Sequence, residues 1–156
     1  MVARDQPGIT ASISGAFLKL GAEISQAHLF FAHQSKLAFD FFHIAPSEKT
    51  IKISELTSAI EDAIIHKKYV SAGDEDALPD IAQNISITPS AHLYKLRAET
   101  DKDVGALIYV LSCRAYRRLR ANIYGLSAHT GKEKARVTIH LKIPKSISIE
   151  KARATV

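Results

Sequence analysis

The chain has 156 residues, 46% of them apolar and 24% charged, with a formal charge of +5 at neutral pH. Such a chain folds as one ordinary domain or two small ones and is neither low-complexity nor collagen-like. No apolar run approaches the ~20 residues of a membrane helix, and no signal peptide is visible; the single cysteine, Cys113, excludes an intramolecular disulfide and fits a cytoplasmic setting.

Val2–Ile9 (VARDQPGI) reads as the end of a strand, a polar turn and the start of a helix. Asp5 or Gln6 is the expected N-cap, with Pro7 at the first helical position, where its missing N–H has no partner to lose. Gly8 has no side chain and lets another group approach the backbone. Ile9, Ile13, Ala16, Phe17 and Leu20 recur at helical spacing, which predicts a helix from Pro7 to Leu20 ended by Gly21. Two strand-forming runs follow, Glu23–His33 and Leu37–Ala45, joined by the turn Gln34-Ser35-Lys36 as a hairpin. Pro46-Ser47-Glu48 breaks the second run. Leu56, Ala59, Ile60, Ala63 and Ile64 then mark a helix from Ser54 to Lys67, with Glu55, Glu61, Asp62, Lys67 and Lys68 on its polar face.

Ser71–Asp80 is acidic, contains Gly73 and Pro79, and reads as a linker. Asn84–Thr88 is a short β-prone segment that Pro89 is expected to end. A second cycle follows: strand His92–Glu99, turn Thr100–Gly105, helix Ala106–Arg118 with Leu107, Val110, Leu111 and Cys113 inward, strand Asn122–Thr130, turn Gly131–Glu133, and strand Arg136–Ile143. In the last strand Val137, Ile139, Leu141 and Ile143 alternate with polar residues, as in a strand buried on one face. Pro144 ends it, and the tail from Ser146 is either a helical turn or irregular.

A strand-helix-strand-strand-helix-strand order implies an α+β ferredoxin-like unit, an antiparallel sheet with helices on one face; here two such βαββαβ units stand in tandem. Residues 1–70 form the first unit, 71–83 the linker, and 84–156 a second, incomplete unit. The first strand of unit one is short, and unit two has no clear second helix or last strand. The chain is therefore either a piece of something longer or a pair of units that complete each other. Open sheet edges pair with other strands, so the two sheets are expected side by side, within the chain or in a dimer.

The run ARDQPGI, then Gly21–Phe31 (GAEISQAHLFF), then Leu37–Ile44 (LAFDFFHI) resembles the ACT domain, a small regulatory module that binds amino acids. Asp5, Pro7, Gly8, Ile9, Gly21, Ile24, Ala27, Leu29, Ala38, Phe39, Asp40 and Phe42 carry the match. The Ala-Phe-Asp-Phe-Phe strand, the acidic linker and the second copy are similar to the tandem ACT pair that ends the bacterial protein-PII uridylyltransferase (uridylyl-removing) family. The resemblance implies a ligand, glutamine above all, held between the Asp5–Ile9 loop and a neighbouring sheet. Asp5 would take the ammonium, with Gln6 beside it; the N–H groups of Gly8 and Ile9 would take a carboxylate or amide, and Gln26, Ala27 and His28 would form a wall. It also implies homodimers through ACT sheets and attached catalytic domains. In the second loop Val104 stands where proline is expected before Gly105, so that loop is a degenerate counterpart.

The sequence carries no phosphate loop, no dinucleotide-binding glycine pattern and no paired-Cys or His-Glu-x-x-His metal motif, so no catalytic residue, cofactor or metal is expected. The histidines are scattered; His28 and His43 lie on adjacent predicted strands and read as sheet-face residues. Asp40, inside an apolar strand, reads as a structural carboxylate in need of a partner. Arg114, Arg117, Arg118 and Arg120 crowd a helix end, where cations suit the dipole. With Lys132, Lys134, Arg136, Lys142 and Lys145 they make a basic stretch that reads first as a solvated face and next as a docking surface for an acidic catalytic module. Ferredoxin-like sheets also bind RNA on aromatic-studded strands, but the basic-Gly-aromatic signature of that class is absent here, so nucleic acid is the least expected partner.

Overall fold

In a computed structural model, residues 1–32, 34–45, 50–66, 82–90, 93–101 and 103–155 are described. The expected linker at 71–80 lies outside them, as do Lys67, Lys68, His92 and Pro46–Glu48.

The elements follow the period of the apolar residues. Strand β1 (Val2–Arg4) leads to helix α1 (Ile9–Leu20), then the hairpin β2 (Ile24–Ala32) and β3 (Leu37–Ile44), then α2 (Ile53–Ile65). Beyond residue 81 come β4 (Gln83–Ser90), β5 (Leu93–Thr100), α3 (Val104–Arg117), β6 (Asn122–Thr130), β7 (Ala135–Lys142) and the short α4 (Ile149–Thr155). Gly21 ends α1 at φ +70°: its N–H bonds to the Leu18 carbonyl and the Ala22 N–H to that of Phe17, which satisfies the last carbonyls of the helix. Helix α3 begins two residues earlier than its apolar pattern suggests, because the Asp103 carboxylate accepts from the N–H groups of Gly105 and Ala106 at 3.0 and 3.1 Å. The tail folds as α4, with Ala152 buried in the core.

The seven strands of the described residues form one antiparallel sheet in the order β1-β3-β2-β6-β7-β5-β4. The fold is thus α+β and compatible with the ferredoxin-like class. The halves meet side by side within the chain: β2 pairs with β6 from Gln26↔His129 to Phe30↔Gly125. Apolar residues of the strands and of α1, α3 and α4 share a single core beneath that seam. Ile13, Leu107, Leu111, Ile139 and Leu141 are fully buried there, and α1 lies between α2 and α3.

The strand after α2 does not return to β1: β4 pairs with β5 at the far edge of the sheet, from Ser90↔Leu93 outward. Two residues separate these strands, so the local hairpin closes at far lower entropic cost than a return to β1. Pro89 does not end β4 but sits within it opposite Tyr94, which an edge strand tolerates because one row of its N–H groups has no sheet partner.

An alanine built at Gly21 meets nothing within 4 Å, so Gly21→Ala tests backbone conformation alone. A left-handed alanine costs about 1 kcal/mol, and urea unfolding is expected to show a loss of that size with an unchanged m-value.

Candidate functional site

The β1–α1 loop is held at both ends. The Asp5 N–H donates to the Lys36 carbonyl in the β2–β3 turn at 3.0 Å. At the other end Gly8, not Asp5 or Gln6, is the N-cap of α1. It adopts φ +88°, a left-handed conformation that glycine enters without steric cost. Helix α1 therefore starts at Ile9, after Pro7 rather than at it. The Ile9 N–H is already spent on the Gln6 carbonyl at 3.2 Å and is not available to a ligand as the resemblance implied. No side chain caps α1, whereas Asp103 caps α3 with its own carboxylate. The two helix N-termini are thus chemically unlike: one is filled by its own side chain and the other is not.

The loop reaches the second half of the chain through its acid. Asn122, at the start of β6, donates Nδ2 to Asp5 Oδ2 at 2.8 Å. Beside this bond lies a small cavity lined by Gln6, Gly8 and Ile9 of the loop, Ser112 and Tyr116 of α3, and Asn122. Two buried hydroxyls belong to residues lining it, Thr10 (2% exposed) and Ser112 (1%). Neither Oγ has a hydrogen-bond partner among the described residues. A buried hydroxyl without a partner costs ~1–3 kcal/mol, so these atoms call for a polar occupant. The enclosed space is about 10 Å³, room for about a single water. Next to it, Pro7, Tyr116, Arg117 and Arg120 line an open cleft of about 460 Å³ that shares Tyr116 with the cavity.

Gln6, Gly8 and Ile9 therefore come together with Asp5 beside them, but Gln26, Ala27 and His28 do not join them. Those three pair with His129, Ala128 and Ser127 along the seam, and none lines the cavity. The reason is strand direction. β2 and β6 run antiparallel, so the start of β6, not β2, faces the Asp5 loop, and Ala121, Asn122 and Ile123 take the place of the expected wall. The start of β2 lies instead by the second loop, where Ile24 Cδ1 comes within 3.2 Å of the Cβ position of Gly105. Asn122, Thr10 and Ser112 escaped the sequence reading. Ser112 did carry a signal, a hydroxyl inside the otherwise apolar run Leu107–Cys113.

His28 and His43 are not opposite one another. His28 faces Phe41 across the strand pair and His43 faces Gln26, with His43 Nδ1 2.6 Å from Ser25 Oγ. Among the described residues no group of three His, Cys, Asp or Glu side chains is placed to hold a metal ion. Nor is any described helix long and apolar enough to cross a membrane. No protein-family model and no curated protein matches the chain.

Asp40 departs from expectation in the opposite sense to the loop. It lies on the helix-facing side of β3, fully buried, and neither carboxyl oxygen has a hydrogen-bond partner among the described residues. Burial pushes its pKa from 3.8 up to about 7; the terminal ammonium pulls it down in part, and Asp5 adds a further upward push. The folded state therefore holds a proton that the unfolded state releases. Asp40 costs no stability below the usual carboxyl range, the cost grows as pH rises toward 7, and it is constant above that. Asp40→Asn mimics the neutral acid. It is expected to leave the melting temperature near wild type at about pH 4 and to raise it at about pH 8, measured by circular dichroism. A loss of equal size at both values would mean that the carboxylate is partnered.

Proposed function

We propose that the chain is an amino-acid-sensing regulatory module, a tandem pair of ACT-type units as in the bacterial protein-PII uridylyltransferase (uridylyl-removing) family, with glutamine as the favoured ligand. The observation that carries this reading is the Asp5–Asn122 hydrogen bond over a cavity built by both halves and lined by residues with unpartnered hydroxyls. A ligand there touches the β1–α1 loop, α3 and the start of β6 together. Gln6, Thr10 and Ser112 offer neutral hydrogen-bonding groups for an amide, and Asp5 offers a carboxylate for an ammonium. Arg120, which lines the adjacent cleft, suits a carboxylate.

The mechanism is allosteric. An amino acid is larger than the enclosed space, so binding requires the loop and α3 to part. Contacts made only in the parted arrangement favour it, and attached catalytic domains read that change in a cytoplasmic enzyme. The module itself supplies no catalytic group. Further copies associate through the open edges of the sheet, β1 and β4.

A second reading rests on the size of the same cavity. Room for a single water suits a ligand-free dimerisation or interaction module in which Asp5 and Asn122 simply join the halves. Isothermal titration with glutamine and the other amino acids separates the two. The sensing reading expects saturable heat with wild type and at least ~10-fold weaker binding for Asp5→Ala and Asn122→Ala, about 1.4 kcal/mol each. No heat with any amino acid, together with a dimer that all of them leave unchanged in size-exclusion chromatography, supports the ligand-free module.

A further inference from the structure

We infer that the sheet face turned away from the helices is a binding surface for single-stranded nucleic acid. The strand registers fix how that face is laid out. One row crosses it from Phe39 on β3 through Phe30, Gly125 and His140 to Lys95 on β5. The next row runs Phe41, His28, Ser127, Thr138, Arg97, and the third His43, Gln26, His129, Arg136, Glu99. Three zones result: aromatic on β3 and β2, small and histidine-rich in the middle, and cationic on β7 and β5, where Lys142 adds a further charge.

The aromatic zone is open. Phe30 and Phe41 are 50% and 55% exposed. Phe30 stacks nearly parallel on Phe39, with centroids 5.0 Å apart and planes 7° apart, and on Phe41 at 5.9 Å and 16°. This row of rings already has the form of a stack, and its exposed members leave surface on which a base can continue it. Stacking of this kind tolerates any base and contributes ~1–3 kcal/mol for each base held.

The cationic zone has the opposite role. Among the described residues of these rows the one carboxylate is Glu99. Asn84 Nδ2 donates to it at 2.9 Å and Arg136 Nε holds it at 2.9 Å, and together they keep its carboxyl below the usual range. Lys95 and Arg97 are left to face an anion. Phe30 and Lys95 stand three strands apart, ~14 Å at normal strand spacing, a span of a few nucleotides. Gly125 and Ser127 keep the ground between them low, so a chain with bases on the phenyl rings can lay its phosphates over His140, Lys95 and Arg97. A duplex keeps its bases paired and cannot use the rings, which selects a single strand.

This surface is distinct from the Arg114–Arg120 helix end and from the cavity at Asp5, and the inference does not depend on amino-acid sensing. The test is fluorescence anisotropy with a labelled oligouridylate of about 12 nucleotides, titrated with the whole chain at several salt concentrations. Wild type is expected to bind with an affinity that falls as salt rises. Phe30→Ala and Phe41→Ala are expected to weaken binding at least ~5-fold, and Lys95→Glu and Arg97→Glu ~10-fold with a shallower salt slope. Lys151→Glu, the same change of charge at an exposed position of α4, is expected to stay within about twofold. Thermal melts check that each variant is folded. Absence of binding by folded wild type overturns the inference. So does an equal loss with Lys151→Glu, or affinity indifferent to both phenylalanines. A dimer that Phe30→Ala disperses and the oligonucleotide does not would assign the face to a second copy instead.

Discussion

The antiparallel pairing of β2 with β6 is the contact on which the rest of the molecule depends. It joins strands from the two halves of the chain and turns two short sheets into one. Each half alone would leave its β2 or β6 as an open edge and would uncover the helix-facing residues Ala27, Leu29, Leu126 and Ala128. With the seam closed, α1 and α3 are brought together over it, and their buried faces become one core. The seam also aims the loops. Because it is antiparallel, the loop before each helix meets the other half at the start of a strand, Asp5 at Asn122 and Gly105 at Ile24.

That reciprocal arrangement makes the difference between the loops informative. Asp103 spends its carboxylate on its own helix N-terminus, and Gly105 is crowded by that carboxylate and by Ile24. Asp5 sends its carboxylate across the seam instead, and the glycine beside it caps the helix with backbone alone. Behind the first loop the hydroxyls of Thr10 and Ser112 stay unpartnered, whereas the second loop's carboxylate is consumed by its own helix. One carboxylate has been used for stability and the other for a contact between halves, which is where a ligand could intervene.

Much of the fold was legible because it is local. The periods of Ile9–Leu20 and of Arg136–Ile143 report which face is buried, and Gly21 marks a helix end by its chemistry. Even the joining of the two sheets followed from their open edges. What the sequence hid was set by non-local partners. Which of two strands Asp5 would meet depended on the direction of the seam, and nothing in Gln26–His28 encodes that. The place of β4 was masked by Pro89, read as a breaker although an edge strand accommodates it. Asp40 carried an apolar context that forecast burial, but the absence of a partner is a fact of packing. The sheet face was legible only in part: Arg136 and Lys142 belong to the basic stretch, but the phenylalanines of β2 and β3 lie far earlier in the chain and join them only through register. The helix-end part of that stretch, Arg114–Arg120, lies on a different surface.

The seam also sets a timetable for synthesis. The partner of β2 on that side, β6, is made about 100 residues after it, which at ~5–20 residues per second leaves that edge of β2 unpaired for several seconds on the ribosome. During that interval the hairpin β2–β3 presents a long strand with free amide and carbonyl groups and exposed phenyl rings at Phe30 and Phe41. Neighbouring nascent chains on one messenger carry the same edge at the same stage. The architecture therefore leaves this edge open to self-pairing until Asn122–Thr130 is made to cover it.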